Sequence, residues 1–386
     1  MQTVRTACDG DFRRLQRRRV LQSGVAGVAA LSWPVLAQGR SIRLGSTFDN
    51  SGVEKANGSG GFKGATAFFN ALNKAGGVNG AKVELVMADD QFKPDVAKAN
   101  ALAFAADKSV LGLLTPLGTR QTAAVMEAVT DIAIVGPNTG TAALRKTSPP
   151  NLFWVRASYD QEIEKLIRTA VTLGTTRLGI VYPNDPLGKG VMAAFERSMA
   201  AAQLQPAVVA TTPGTTSNEV EPAALAIAKA APQAVIMVLA GVAPLFVKAL
   251  RKVGSAASVY GLSISASAAN IAALGEEGRG LGFTIIVPSP FAPKNEVVRR
   301  YQADMEASGW TDYSLPSLEG YINARVMTEG LKRAGAGVTR ESLVAALERI
   351  ESLDLGGMRI GYGKGNRQGS NFVDVAVIGT GGRMFT

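Results

Sequence analysis

From Ser41 onward the chain alternates short runs of strand-like patterning with longer runs of helical spacing, separated by turn residues. That rhythm demands a largely parallel sheet, because parallel neighbours need a crossover long enough to hold a helix. Residues 41–46 alternate and read as a first strand. Residues 61–75 then place Phe62, Ala65, Phe69 and Leu72 on one helical face, and Gly76-Gly77 stops the run. A strand over 82–89, a helix over 94–106, a strand over 110–114, a helix over 121–129 and short strands over 132–135 and 153–155 continue the pattern. A second array follows, with Asp160 expected to cap a helix over 161–173. It runs through strands at 177–182, 207–211, 234–239 and 259–262, with helices at 188–202, 219–230 and 244–253 between them.

The last third departs from strict alternation. A strand over 281–287 enters the stiff segment Pro288-Ser289-Pro290-Phe291-Ala292-Pro293, and helices over 296–307, 317–334 and 341–350 follow with little between them. Helices gathered without strands must cover a sheet built earlier, so this section is expected to return to the first array. Strands over 358–362 and 372–378 would then finish on the second.

The amino terminus reads as an export address. Arg13, Arg14, Arg17, Arg18 and Arg19 precede an uncharged run from Val20 to Ala37, and small residues at Val35 and Ala37 suit cleavage before Gln38. Arg17-Arg18-Arg19-Val20-Leu21 is similar to a twin-arginine signal, with Val20 where phenylalanine is usual, so either the Tat or the Sec route fits. The expected product is periplasmic. This leader holds six of the 41 basic and two of the 31 acidic residues, so much of the formal +10 charge is targeting. What remains is spread along the chain without a basic run interleaved with aromatics, which gives no footprint for nucleic acid.

Two absences narrow the chemistry. The only cysteine, Cys8, lies in the leader, and the chain has no histidine. Without them the exported protein lacks disulfides, Cys or His metal sites, and the Ser-His-Asp and Cys-His arrangements of hydrolases. No Gly-x-Ser-x-Gly, Ser-x-x-Lys or phosphate-loop sequence occurs, and Gly58-Ser59-Gly60-Gly61 does not have dinucleotide-binding spacing. An enzyme, a metal and a cofactor are therefore not expected.

The turn Ala75-Gly76-Gly77-Val78-Asn79-Gly80, leading into a strand that ends in Asp89-Asp90, resembles the start of the branched-chain amino-acid-binding proteins of ABC importers. Gly136-Pro137-Asn138-Thr139, Phe153-Trp154-Val155-Arg156, the stretch 181–190, Pro232-Gln233-Ala234-Val235-Ile236 and Ser317-Leu318-Glu319-Gly320-Tyr321 extend the likeness across nearly the whole exported chain. The resemblance implies an α/β fold of two Rossmann-like lobes joined by three crossovers, near 156–158, 287–290 and 353–357. One lobe would hold residues 38–156 plus 291–352, the other 157–290 plus 353–386. It also implies a small-molecule ligand between the lobes and the membrane permease subunits of an ABC importer as partner. A stand-alone ligand sensor uses the same module and is the alternative.

By the same resemblance, Gly118 and Thr119 are candidates to hold a ligand carboxylate, with Asn138, Thr139 and Thr141 on a second loop and Asn50 on a third rim. Tyr159 and Asp185 would face them from the other lobe, Asp185 serving equally well as a helix cap. Leu187 stands where the family often has a tyrosine. At Ser263 amino-acid-binding members commonly place an acid, and serine cannot neutralise a buried ammonium. The expected ligand is thus a small carboxylate without an α-amino group, a neutral amide or an aromatic acid.

Overall fold

The computed structural model describes residues 41–363 and 365–386; the expected leader, residues 1–37, lies outside them. The first lobe begins with strand β1 (Ser41–Phe48), helix α1 (Lys55–Lys74), β2 (Lys82–Asp89), α2 (Pro94–Ala106), β3 (Val110–Leu114), α3 (Thr119–Ala128), β4 (Ala133–Val135), α4 (Ala142–Lys146) and β5 (Leu152–Phe153). Its five strands are all parallel, in the order β2-β1-β3-β4-β5. Strand β3 carries Leu113 and Leu114, both almost fully buried, as expected for a sheet covered on two faces.

The second lobe repeats the plan with α5 (Tyr159–Thr172), β6 (Leu178–Pro183), α6 (Pro186–Ala201), β7 (Val208–Thr212), α7 (Glu221–Ala230), β8 (Ala234–Met237), α8 (Ala243–Lys252), β9 (Ser258–Gly261), α9 (Ala268–Leu274) and β10 (Gly282–Ile285). Its parallel strands run β7-β6-β8-β9-β10, the same winding as the first lobe. Helix α5 is capped by Ser158 rather than Asp160: Ser158 Oγ accepts from Gln161 N, and the Gln161 side chain accepts from Ser158 N, a reciprocal box.

The remaining elements are α10 (Glu296–Ala307), α11 (Leu315–Ala334), α12 (Arg340–Glu348), β11 (Leu353–Asp354), β12 (Arg359–Ile360), β13 (Asp374–Ile378) and β14 (Met384–Phe385). Helices α10 and α11 pack on α1, and α12 packs on β3 and β4, so the chain does return to the first lobe. Strands β13 and β14 extend the second sheet antiparallel beyond β10. The strand expected over 358–362 instead pairs as β12 with β11 in a separate ribbon.

Helix α1 starts six residues earlier than its apolar spacing suggests. Four glycines in its first half make it a poor helix by propensity, yet they let α11 approach closely. A Cβ on Gly64 would fall 1.7 Å from the Ser317 carbonyl oxygen, and one on Gly320 would fall 1.9 Å from that of Gly61. Tertiary packing overrides local preference here, and it carries the helix back to Lys55, beside the β1 loop.

Candidate functional site

In both lobes the winding reverses between the first and third strands of the array. At such a switch point the loops leaving neighbouring strands diverge and open a crevice at the strands' carboxyl ends. A cavity of about 310 Å³ lies there between the two lobes. Its first-lobe wall includes Glu54 and Asn57 after β1, Phe92 after β2, Leu117 to Gln121 after β3 and Asn138 after β4. Tyr159, Asn184, Asp185, Leu187, Thr215, Ala240 and Ile264 close it from the second lobe.

The β3–α3 corner is built to expose backbone donors. Gly118 has φ +98°, a conformation that favours glycine, and a Cβ there would meet the Gln121 side chain at 2.4 Å. Helix α3 has no side-chain cap, so its first-turn N–H groups lack the partner that Ser158 or Asp185 supplies elsewhere. Thr119 Oγ1 lies 2.8 Å from Thr139 Oγ1, which fixes the hydroxyl beside this corner. Gln91, Phe92 and Thr115 also adopt left-handed φ in the loops after β2 and β3. Phe92 is held there by Asp90, whose Oδ1 accepts from Phe92 N at 2.9 Å.

Of the residues singled out in the sequence, Gly118, Thr119, Asn138, Tyr159 and Asp185 line the cavity, and Leu187 does so too. Asp185 is largely occupied as a cap: its carboxylate accepts from Gly188 N at 3.2 Å, Thr215 N at 3.0 Å and the Thr215 hydroxyl. Asn50, Thr139, Thr141 and Ser263 are not on the wall. Asn50 is exposed, its backbone N–H donating to Asp89. Thr139 is buried behind Thr119, and Thr141 caps α4 by position only, its hydroxyl unpartnered.

Ser263 belongs to a buried polar cluster at the crossover. Its Oγ donates to Glu162 Oε1 at 3.0 Å and its N–H to Glu162 Oε2 at 2.9 Å. Arg156 reaches Glu162 at 2.9 Å, Glu319 at 3.5 Å and Asn138 Oδ1 at 3.0 Å. Arg156 thereby links the first crossover, both lobes and one wall residue through fully buried charge. Because Ser263 lies behind the wall, its lack of charge does not argue against a ligand ammonium.

An acid does stand on the wall, and the sequence reading missed it. Glu54, only 3 % exposed, occupies the cap position of α1, but its side chain caps none of the helix's backbone N–H groups. Its Oε1 crosses the cleft to accept from Gly241 N at 2.8 Å, just before α8, and its Oε2 accepts from Asn57 Nδ2 at 2.7 Å. Burial pushes this carboxyl up to about 7; the two donors oppose the shift and the charge of Asp49 adds to it. The signal that finds Glu54 is topological: it sits in the loop leaving the first strand at a switch point. Among the described residues no group of three or more acids is placed to hold a metal ion.

The periplasmic binding protein profile matches residues 41–383. A substrate-binding periplasmic protein from Ralstonia solanacearum is 32 % identical, over 88 % of this chain and 98 % of its own, with a TM-score of 0.78. An extracellular ligand-binding receptor from Verminephrobacter eiseniae is 28 % identical, over 90 % and 100 %, with a TM-score of 0.81. A possible leucine/isoleucine/valine-binding protein from Rhodopirellula baltica, 22 % identical over 90 % and 97 %, shares the fold with a TM-score of 0.84. No curated protein matches the chain. With its two lobes, its interlobe cavity and a match spanning nearly all described residues, this chain belongs to the type I periplasmic binding protein family.

Proposed function

We propose that this protein captures a small organic ligand bearing a carboxylate in the periplasm and delivers it to the membrane permease subunits of an ABC importer. The observation that carries the reading is the uncapped amino terminus of α3 opening on a cavity enclosed by both lobes. The first-turn backbone N–H groups of α3 at Thr119 and Arg120, left open by the Gly118 turn and supported by the Arg120 side chain on the same wall, suit a carboxylate there. Asn138, oriented by Arg156, and Tyr159 complete the polar lining. Residues 38–156 plus 291–352 and 157–290 plus 353–386 are taken as the two bodies that hinge about the crossovers to admit and release the guest. Residues 1–37 serve as the export leader in this reading.

Thermal-shift and calorimetric screening of the exported protein against amino acids, hydroxybenzoates and short oxo-acids tests the proposal. A true ligand at a hundred times its Kd stabilises the folded state by about 2.7 kcal/mol. Gly118→Val, which places a side chain where a Cβ already collides with Gln121, is expected to abolish that gain. If no carboxylate binds, or if Gly118→Val binds as tightly as the parent, the reading fails.

A further inference from the structure

Glu54 is a buried acid facing a cavity with no cation beside it. Its two oxygens accept only from the neutral groups of Gly241 and Asn57, and the charge acting on it from its own loop is another carboxylate, Asp49. Asp49 is itself satisfied by backbone N–H groups of Ser51, Gly52 and Glu54. The buried acids at the crossover differ, since Glu162 and Glu319 share Arg156. A buried carboxylate without counter-charge is costly unless it is protonated or a cation reaches it. The other titratable groups on the wall do not supply one. Asp185 is an acid spent on Gly188 and Thr215, Tyr159 is a phenol, and the Arg120 side chain sits on α3, where the ligand carboxylate is held in the reading above.

We propose that the guest brings the missing charge: the ligand carries a protonated nitrogen that ion-pairs with Glu54, so one residue both selects the ligand by charge and ties the lobes together through Gly241. The inference rests on the carboxylate reading for the ligand's other end. It assigns the acid to the first lobe, after β1, and not to the second-lobe position where the resemblance placed it. Closure and recognition are coupled because the Gly241 N–H comes from the end of the opposite lobe that leads into α8, where a negative charge is favoured.

Proton linkage follows. In the empty cavity the Glu54 carboxyl titrates near 7, and a cation beside it favours the ionised form. Binding then expels a proton wherever the empty protein holds one. Affinity is full above about pH 7 and falls as pH drops below it, by at most about tenfold per pH unit for a single proton.

Calorimetry on the exported protein with matched pairs decides the matter: leucine against 4-methylpentanoate and phenylalanine against 3-phenylpropanoate, at acidic and alkaline pH, in buffers of different ionisation heat. In at least one pair the amino member is expected to bind about tenfold or more tightly, with proton release and weaker binding toward acid. Glu54→Gln keeps an acceptor for Gly241 and is expected to lose both the preference and the proton release while melting normally. Equal or tighter binding of the deaminated acid, proton uptake, or an unchanged preference in Glu54→Gln overturns the proposal. If neither member of any pair binds, the carboxylate reading is left to the wider screen above, and simple alkylamines judge Glu54 alone: binding with proton release upholds its role, and no binding sinks it.

Discussion

Glu54 in the first lobe and Asp185 in the second stand at the same place in the winding, each an acid at the cap position of the helix that follows the first strand of its array. Their surroundings differ. Asp185 turns back onto its own lobe and accepts from Gly188 and Thr215, whereas Glu54 leaves the α1 backbone uncapped, takes one bond from the Asn57 side chain and reaches across the cleft to Gly241. An acid satisfied wholly within its own lobe is part of the scaffold; one with a partner across a cavity is available to respond to what enters. Residue type and topological position are shared, so the difference lies in where the nearest donors are.

That contrast can be broken by titration. Glu54 has a folded carboxyl pushed up to about 7 against an ordinary value of 4.5, so between those values the folded state holds a proton that the unfolded chain has lost. Stability of the empty protein therefore falls as pH rises through this window, by up to about 3 kcal/mol for a single buried group. Denaturant melts across the window should show the slope, reduced in Glu54→Gln. Part of it should survive in that variant, because burial also raises Asp90 to about 6. An identical slope in the variant would mean that Glu54 is not the lone acid described.

Asp185→Ala sharpens the other side. Loss of the α6 cap and of the tie to Thr215 is expected to cost about 1–2 kcal/mol, read in chemical melts at neutral pH. A variant as stable as the parent would remove the scaffold role and return Asp185 to the ligand. The smallest effect is expected at Asn50, whose exposed side chain lies off the cavity wall. Asn50→Ala should change stability by no more than about 0.5 kcal/mol. A loss of ligand affinity in that variant would show that the first rim reaches further than the cavity drawn here.

The βα rhythm, both arrays and the return of the late helices to the first lobe were legible because strand and helix periods are written in consecutive residues. Val110–Leu114 was delimited to the residue, since a short apolar run between turn residues has few other uses. The start of α1 was not legible, because the stretch from Lys55 to Gly60 shows no apolar helical spacing and holds two glycines, and only the packing of α11 against Gly60 and Gly61 accounts for it. At the site, Gly118, Thr119, Asn138, Tyr159 and Asp185 could be singled out because they lie in strand-end loops with a family pattern. Asn57 and Glu54 could not, since nothing in the stretch before residue 61 marks a helix start facing a cleft.

By itself the sequence determined that the chain carries no histidine and a single cysteine, and the alternation that makes two parallel arrays; both follow from composition and local periodicity. Only the tertiary structure decided which acid faces the cavity and which ones are spent in the scaffold. Glu54, Glu162 and Asp185 are chemically near-equivalent along the chain, and they differ through donors that folding brings from further along it: Gly241, Ser263 and Thr215. Burial and partner charge, which fix a carboxylate's state, are properties of that assembly.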